Sequence, residues 1–353
     1  MNIVKRQKTL IFLTFSLFLS GCTGQKNEVG DAAETRFFGM DTDISITAYG
    51  RNAEEALTDA QAKVAELEKL WSVTDENSDI YAINHSQGRS VNVSEETEEI
   101  LSFALDMAKQ TGGALEPTIY PALTAWGFTT RENRIPDKSE LEEILRNVGY
   151  ENVHLSGDEV TLPDGMELDL GAVGKGFAAD EVSNVLKQAG ITSALLDLGG
   201  NIQLIGTKPD GTDWKIGLRD PFGESYIGVL SISDRAVVTS GNYERYFIGE
   251  DGKQYGHILD PATGYPSENG LASVTVVAEE GKLCDALSTS LFVMGKEKAA
   301  DYWRENQNFD MILLMEKGEI YLTEGLADKF ELEPDYGDMK VEQIKEIADR
   351  KGE

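Results

Sequence analysis

The amino-acid sequence predicts an α+β fold in which helices pack against largely antiparallel sheets. Apolar residues recur at helical spacing in four segments between residues 53 and 190. From residue 194 onward, short runs of β-branched and aromatic residues dominate the chain. The spacers between these runs are short, and short connections favour antiparallel strand pairs.

Apolar periodicity and capping signals define the helical segments. Four helices are predicted: Ala53–Trp71, Glu95–Ala108, Lys138–Asn147 and a segment from near Ala172 to Gly190. Ser94 stands at the N-cap position of the second helix, and Asp137 and Glu140 stand at capping-box spacing in the third. Gly190 is a typical C-terminal stop for the fourth helix.

The predicted strands follow the fourth helix. They are Ala194–Leu198, Ile202–Ile205, Trp214–Leu218, Ile227–Ile232 and Ser273–Ala278, followed by a hairpin of Phe309–Met315 and Glu319–Thr323. Lys317 and Gly318 supply the turn of this hairpin. The segment 331–353 is highly charged and is expected to form a peripheral C-terminal tail.

The N-terminus is predicted to be a lipoprotein signal peptide over residues 1–21. Three basic residues precede an apolar run, Leu10–Leu19, that is too short to span a bilayer. Leu19-Ser20-Gly21-Cys22 resembles the lipobox at which a cysteine becomes the lipidated N-terminus, and residues 22–35 would form a polar tether. We therefore expect lipid anchoring at Cys22 on the extracytoplasmic face of the cell membrane, with an ordinary cleaved signal as the alternative.

Charge and cysteine content exclude two further classes of protein. The chain has 62 acidic and 32 basic side chains and a formal charge of −30, which would repel nucleic acid over most of the surface. Cys22 and Cys284 are the only cysteines, so lipidation of Cys22 would leave Cys284 without a disulfide partner. The apolar helical setting of Cys284 is typical of a small buried hydrophobe.

Five segments rich in glycine, carboxylate and hydroxyl residues are the candidates for chemistry. They are Phe38–Asp43, Thr111–Thr118, Leu168–Asp180, Thr239–Tyr246 together with His257–Pro266, and Asp285–Thr289. The glycines of the third segment lack both the P-loop and the dinucleotide-binding spacing. Taken alone, this helix start could serve either close packing or anion binding.

Two of these segments contain side chains suited to catalysis. His257 directly precedes a rigid Asp-Pro-x-Thr-Gly-x-Pro turn, where it could transfer protons or serve only as a structural residue. Asp285 and Thr289 lie four residues apart on one helical face, and their oxygens suit a hard cation such as Mg²⁺. A solvated Asp and a Thr bonded to its own helix are the alternative.

In this order, the five segments resemble the ApbE family, the FAD:protein FMN transferases. The resemblance runs from about Arg36 to about Gly325 and implies an ApbE-like, T-fold-related architecture over residues 36–330. It also implies an exported enzyme that binds FAD with Mg²⁺ and transfers FMN to a Thr or Ser hydroxyl through a phosphoester bond, releasing AMP. Its partners would be exported or membrane flavoproteins that carry the target hydroxyl.

The resemblance also implies roles for individual residues. The FAD contacts would be Met40, Ala114, Leu115, Glu116, Asp169, Lys175 and Leu259. The metal ligands would be Asp285, Thr289, Ser288 and Ala172, the last two through backbone carbonyls. His257 would be the general base. The sequence departs from the family pattern at Asp41, where the family has glycine, and at Glu116, which is one methylene longer than the usual Asp.

Two other functions stay open at this point. The same site could hydrolyse FAD to FMN and AMP, with water in place of the protein hydroxyl. The protein could also be a lipoprotein that binds a flavin or another solute without catalysis, in which case FAD would remain intact during incubation with Mg²⁺.

Overall fold

The structure of the protein is a computed structural model that describes residues 32–346. The predicted signal peptide and the lipidation site Cys22 lie outside these residues. The described helices are Ala53–Trp71 (α1), Asp79–Asn84 (α2), Glu95–Gln110 (α3), Tyr120–Trp126 (α4), Lys138–Ile144 (α5), Gly174–Gln188 (α6), Gly281–Met294 (α7) and Lys296–Asn306 (α8).

Seventeen strands are described in the same part of the chain. They are Ala32–Gly39 (β1), Thr42–Tyr49 (β2), Val91–Asn92 (β3), His154–Ser156 (β4), Glu159–Thr161 (β5), Ser193–Leu198 (β6), Asn201–Ile205 (β7), Trp214–Arg219 (β8), Tyr226–Ile232 (β9), Ala236–Gly241 (β10), Tyr246–Ile248 (β11), Gln254–Gly256 (β12), Leu271–Ala278 (β13), Asp310–Met315 (β14), Ile320–Thr323 (β15), Phe330–Leu332 (β16) and Val341–Ile344 (β17).

A nine-stranded sheet organises the molecule in the order β1-β2-β6-β7-β10-β13-β14-β15-β17. Its neighbouring strands pair antiparallel, apart from the parallel pair β15 and β17. A three-stranded sheet of β16, β9 and β8, a second of β3, β5 and β4, and the two-stranded hairpin of β11 and β12 complete the strand pairing. The predicted α+β class with largely antiparallel sheets is confirmed.

Both faces of the large sheet are covered over its central strands, and β13 shows this directly because all eight of its residues are buried. On one face, α1, α3, α6, α7 and α8 pack their apolar residues against the sheet. On the opposite face, Trp214, Ile216 and Leu230 of the β8–β9 sheet form a second core. Since the sheet is held from both sides, it provides a rigid base for the loops at its edges.

The predicted helices are present, with differences at their ends. Ser94 accepts a hydrogen bond from the Thr97 N–H and caps α3, as its sequence position predicts. Asp137 occupies the N-cap of α5 without a side-chain cap bond, and Glu140 pairs with Arg134 over 2.7 Å. Helix α6 begins at Gly174 rather than near Ala172, since residues 171–173 form a turn.

The C-terminal segment differs from the expected peripheral tail. Val341–Ile344 forms β17 and pairs in parallel with β15 at the edge of the large sheet. Ile344 is buried in the main hydrophobic core. The high charge of the segment therefore did not reveal that one of its side chains packs inside the protein. At the other end, β1 begins at Ala32, inside the segment assigned to the tether. None of the described helices has the length and apolar character needed to cross a membrane.

Candidate active site

The first turns of α6 and α7 meet at two glycines. A Cβ on Gly176 would lie 2.3 Å from the Gly281 carbonyl oxygen, and one on Gly281 would lie 2.7 Å from that of Gly176. Only glycine therefore permits this close approach of the two backbones. Asp180 holds the junction from the α6 side, accepting hydrogen bonds from the N–H groups of Gly281 at 2.7 Å and Lys282 at 2.9 Å.

Asp285 carries the buried carboxylate at this junction. Its Oδ2 accepts a hydrogen bond from the Gly176 N–H over 2.8 Å. Ser240, on the neighbouring strand β10, places its Oγ 2.8 Å from the Ser288 Oγ and 3.3 Å from the Thr289 Oγ1. A carboxylate and three hydroxyls thus gather between α6, α7 and β10, and they include the Asp285 and Thr289 side chains of the predicted metal site.

The Ala172 carbonyl has the properties of a further oxygen ligand. The Gly176 N–H, which could complete a helical bond to it, donates to Asp285 instead. Within residues 32–346, no hydrogen bond to the Ala172 oxygen is formed. This open carbonyl, together with Asp285 and Thr289, is an all-oxygen donor set that fits a hard divalent cation such as Mg²⁺. The described residues contain no cluster of three or more His, Cys, Asp or Glu, which a zinc site would favour.

Ser288 takes part in this network through its side chain. Its Oγ donates to the Asp285 carbonyl over 2.9 Å, and its backbone lies in the middle of α7. Cys284, one turn earlier, is fully buried, which confirms the prediction of a small hydrophobic residue there. Burial and the nearby Asp180 carboxylate raise the pKa of the Cys284 thiol well above its usual value. This thiol is therefore unsuited to nucleophilic chemistry.

His257 is half-buried, with one ring nitrogen committed to the protein. Its Nδ1 lies 3.2 Å from the Arg245 carbonyl oxygen, so the tautomer that satisfies this carbonyl carries hydrogen on Nδ1 and a lone pair on Nε2. Burial is the main cause that lowers the pKa of His257 to about 4, and the Arg245 and Lys175 charges lower it further. The imidazole is consequently neutral and able to accept a proton at neutral pH.

Met40 and Asp41 form the turn between β1 and β2. Both have positive φ values, 52° and 57°, so each occupies the left-handed region. The glycine expected at position 41 would enter this region without strain, and Asp tolerates it better than most side chains. The Asp41 carboxylate lies 3.1 Å from Arg245, and the Met40 N–H donates to Glu68. The turn that contains Asp41 therefore contacts Arg245, whose backbone carbonyl is the hydrogen-bond partner of His257.

Glu116 uses both carboxylate oxygens inside the protein. Oε1 accepts hydrogen bonds from the Thr118 N–H and hydroxyl, and Oε2 accepts one from the Tyr150 N–H. Burial raises the pKa of Glu116 despite these bonds. Leu115 beside it is buried, whereas Ala114 is half-exposed. The structure therefore gives Glu116 an organising role in this loop, with Ala114 and Glu116 partly exposed and Leu115 buried.

Asp169 and Lys175 flank the turn that precedes α6. The Asp169 N–H donates to the Pro117 carbonyl, which ties this turn to the Glu116 loop. Burial raises the pKa of Asp169, while the Gly171 N–H and the Arg245 charge act in the opposite direction. Lys175 forms no ion pair within the described residues, so its charge is available to an incoming anion at the start of α6.

Leu259 lies at the base of the rigid turn after His257. It is buried with Trp126 and Tyr255 in a small aromatic core and forms an isolated bridge with Pro266. The Trp126 Nε1 donates to the Gly264 carbonyl over 2.7 Å, which fixes the turn from below. The turn thus acts as a support for His257.

Four residues of this site were not predicted by sequence reasoning. Arg245 links His257 to Asp41, Asp180 joins α6 to α7, Ser240 approaches Ser288 and Thr289, and Glu244 lies within electrostatic range of Lys175 and Asp285. The sequence offered only a weak signal for these four residues. Ser240, Glu244 and Arg245 lie in one polar segment, and Asp180 lies in a glycine-rich segment. Their partners lie far away along the chain, so spacing alone could not assign them.

The fold and the site together correspond to a known protein family. Residues 40–313 match the sequence profile of the ApbE family. This match covers both the α6–α7 junction and the segment around His257. The chain belongs to the ApbE family.

Individual relatives agree with this assignment. The chain is 34% identical over 293 residues to an FAD:protein FMN transferase of Treponema pallidum, covering 78% of this chain and 81% of the relative. It is 36% identical over 268 residues to an FAD:protein FMN transferase of Klebsiella pneumoniae, covering 74% and 82%. The crystal structure of the ApbE protein of Thermotoga maritima superposes with a TM-score of 0.79 at 34% identity, covering 84% of this chain and 98% of that one.

Proposed function

We propose that this protein is an FAD:protein FMN transferase that moves FMN from FAD to a Thr or Ser hydroxyl of an acceptor protein, with Mg²⁺, and releases AMP. The observation that carries the proposal is the meeting of a buried carboxylate, hydroxyl oxygens and an open carbonyl at the α6–α7 junction. Flavin transfer is the activity that the names of the curated relatives state.

Asp285, Thr289 and the Ala172 carbonyl are the groups that would hold Mg²⁺. Bound there, Mg²⁺ would withdraw electron density from the FAD pyrophosphate and stabilise the negative charge of the departing phosphate. This set contains a single carboxylate, so it would neutralise only part of the charge of Mg²⁺. The remaining positive charge would attract the FAD pyrophosphate. The Ala172 carbonyl supports this assignment because the residue is half-exposed and the carbonyl accepts no hydrogen bond in the described residues, so a ligand could bind it without breaking a bond of the protein.

Two cations and a helix start favour the pyrophosphate. Lys175, at the N-terminal turn of α6, has no ion-pair partner in the described part of the chain and would contact a phosphate oxygen. Arg245 lies close enough to His257 to lower its pKa and would offset a second negative charge. These local charges are needed because the chain as a whole carries a formal charge of −30.

His257 is the proposed general base. Its Nε2 would accept the proton of the acceptor hydroxyl while the hydroxyl oxygen attacks the phosphorus of the FMN phosphate. The bond from that phosphorus to the bridging oxygen then breaks, and AMP leaves with this oxygen. The Arg245 carbonyl holds the Nδ1–H of the ring, so Nε2 keeps its direction during the transfer.

Transfer can be tested with a flavoprotein that normally carries FMN on threonine, prepared without flavin in cells that lack a flavin transferase. This acceptor is incubated with the purified protein, FAD and Mg²⁺, and its intact mass is measured. We expect an FMN adduct on the threonine and one AMP for each adduct. Intact FAD would support a binding protein without catalysis, and free FMN with AMP but no adduct would support a pyrophosphatase.

We also propose that the protein is anchored by lipid at Cys22 on the extracytoplasmic side of the cell membrane. The support is the apolar run Leu10–Leu19 followed by Leu19-Ser20-Gly21-Cys22 in the sequence. A diacylated cysteine provides stable anchoring, which a single short acyl chain does not. Exported or membrane flavoproteins would then share a compartment with the enzyme.

A further inference from the structure

We propose that the outer edge of β11 is a docking strand, with which an extended segment of the acceptor protein pairs so that its target hydroxyl reaches His257. The inference deepens the proposed function, because it concerns the protein substrate of the same site. It rests on the unpaired backbone of β11, the side chains displayed there and the position of the strand beside the reacting groups.

The hydrogen-bonding pattern of the β11–β12 hairpin leaves the outer backbone edge of β11 open. The His257 N–H donates to the Arg245 carbonyl, and the Gly249 N–H donates to the Lys253 carbonyl. In an antiparallel pair, hydrogen-bonded and non-bonded positions alternate, so the backbone groups of Tyr246 and Ile248 point away from β12. Within residues 32–346, these outward N–H and C=O groups have no hydrogen-bond partner.

The opposite edge of the hairpin is partly covered. The Gln254 side chain donates to the Asn242 carbonyl over 3.0 Å. Asn242 also packs against Gly256 so closely that a Cβ on this glycine would lie 2.2 Å from the Asn242 Oδ1. The outward N–H and C=O groups of Gln254 and Gly256 are also without a hydrogen-bond partner in the described residues, but Asn242 stands against Gly256, so β11 is the less obstructed edge of the hairpin.

The side chains of β11 differ from those at the edges of the large sheet. Tyr246 and Ile248 project from the same face and are 49% and 57% exposed. The edge strands β1 and β17 also carry an exposed apolar residue each, Phe38 and Val341, but combine it with a charged pair, Glu34–Arg36 on β1 and Glu342 with Lys340 at β17. Charged side chains of this kind discourage pairing with another chain. An aromatic and a β-branched side chain on an open edge favour it.

The position of β11 connects this edge to the chemistry. Its first residue, Tyr246, directly follows Arg245, and the partner strand β12 ends at Gly256, directly before His257. The inner face of the hairpin is fixed because Phe247 and Tyr255 stack at a centroid distance of 5.4 Å above Trp126. A strand added to β11 would pass the end of the hairpin at which Arg245 and His257 stand, with the His257 strand two strand spacings away, about 10 Å, so the target hydroxyl would reach the base from beyond the Tyr246 end.

The expected interaction is weak, in keeping with an enzyme that must release its product. Two outward residues offer at most four backbone hydrogen bonds, and each contributes little net free energy because it replaces a bond to water. Backbone pairing gives affinity for many sequences, and the contacts of Tyr246 and Ile248 would add selectivity for apolar neighbours of the target residue. The partner class is thus a protein whose target Thr or Ser lies in an extended, accessible segment.

Ile248→Pro tests the docking strand, with Ile248→Val as its matched control. Proline removes an N–H that points away from β12, so the hairpin bonds are kept while pairing with a further strand is blocked. With the apo-flavoprotein acceptor, we expect kcat/KM for the acceptor to fall at least tenfold in the proline variant. The valine variant should stay within twofold of wild type, and FAD affinity should be unchanged in both.

Amide exchange of the wild-type enzyme provides a second measurement that does not depend on a variant. An acceptor whose target threonine is replaced by valine is added, and the Tyr246 and Ile248 amides should become protected from exchange. Wild-type rates in Ile248→Pro together with unprotected amides would overturn the docking strand. If Ile248→Pro also loses FAD affinity, the amide exchange of the wild-type enzyme decides the question. Protection of the Tyr246 and Ile248 amides by the acceptor then supports the docking strand, and the absence of protection overturns it. If the wild type forms no adduct with any acceptor, the proposed function itself fails.

Discussion

Gly176 donates its backbone N–H to the Asp285 Oδ2 over 2.8 Å, so one carboxylate both joins α6 to α7 and faces the proposed metal site. The same bond keeps this N–H from the Ala172 carbonyl, which therefore accepts no hydrogen bond within residues 32–346. In the proposed metal site, Asp285 would thus serve both helix packing and cation binding. Variants at this position have to be chosen so that the two effects can be separated.

Asp285→Asn is predicted to abolish cation-dependent turnover while keeping the fold. The amide oxygen can still accept the Gly176 N–H, but the variant loses the negative charge that attracts Mg²⁺. We expect AMP release from FAD at a fixed Mg²⁺ concentration to fall by about a hundredfold or more. Asp285→Ala should in addition lower the free energy of unfolding by about 1–3 kcal/mol, because the buried N–H loses its partner. Mg²⁺ titration and denaturant unfolding of the two variants measure these effects, and full activity of both would remove the metal assignment.

His257→Asn is predicted to lose FMN transfer while FAD binding survives. The side-chain amide keeps a hydrogen-bonding group near the Arg245 carbonyl but cannot accept the hydroxyl proton. Transfer to the acceptor should fall by roughly a hundredfold or more. Flavin fluorescence titration gives the affinity, and single-turnover transfer gives the rate. Transfer at the wild-type rate would make His257 structural, and loss of FAD affinity would make it a binding residue.

The lowered pKa of His257 predicts the pH dependence of the free enzyme. The imidazole is neutral above a pKa of about 4, so kcat/KM for FAD should show no loss from this group between pH 6 and 8. It should fall as the pH drops toward 4, because protonation removes the lone pair of the base. For stability, the unfolded chain binds this proton at a higher pH than the folded chain, so the contribution of His257 declines as the pH falls from about 6.5 to about 4. A pH–rate profile in which His257→Asn lacks this acidic limb would confirm the assignment.

Asp180 is predicted to make stability depend on pH in the opposite sense. Burial raises the pKa of its carboxyl to about 6, whereas the unfolded value is 3.8. Between these values the folded chain binds more protons than the unfolded chain, so this group stabilises the fold increasingly as the pH falls from about 6 to about 4. The stability difference between wild type and Asp180→Asn should therefore shift in favour of the wild type over this interval. Denaturant unfolding at pH 7.5 and pH 4.5 measures it, with the exposed Asp59→Asn as control.

Cys22→Ala is predicted to release the mature protein from the membrane. Without the thiol there is no site for diacylation, and a strongly acidic chain does not adhere to an anionic surface by itself. Cell fractionation followed by intact-mass measurement provides the test. Unchanged membrane association in the variant, or an unmodified cysteine in the wild type, would contradict the lipid anchor.

Apolar periodicity and turn residues in the sequence correctly predicted helix α1 and the β14–β15 hairpin. Helix α1 shows its apolar stripe in seven regularly spaced buried residues, and the hairpin of β14 and β15 is marked by Gly318 at φ 80°. In helix α5, Asp137 makes no side-chain cap bond and Glu140 pairs with Arg134, a contact that capping-box spacing does not reveal. Strand β17 was missed since its acidic neighbourhood masked the buried Ile344.

Long-range contacts account for the parts of the site that the sequence left open. Asp180 meets the start of α7 across 101 residues, and Ser240 meets Ser288 across 48. Neither pair has a pattern at short spacing, because the large sheet brings them together only after the whole chain is folded. Family motifs identified one partner of each pair, and tertiary structure supplied the other.

Strand β1 sets the distance at which this enzyme could work from a bilayer. In the lipid-anchored form, ten residues connect Cys22 to Ala32, and at about 3.3–3.6 Å per residue they reach no farther than about 36 Å. The eight residues of β1 then run to Gly39, at the turn whose Asp41 contacts Arg245, which adds roughly 27 Å at ~3.4 Å per residue. The proposed catalytic groups lie near the turn that ends this strand, and with the lipid anchor they would reach acceptor hydroxyls up to about 60 Å above the membrane surface.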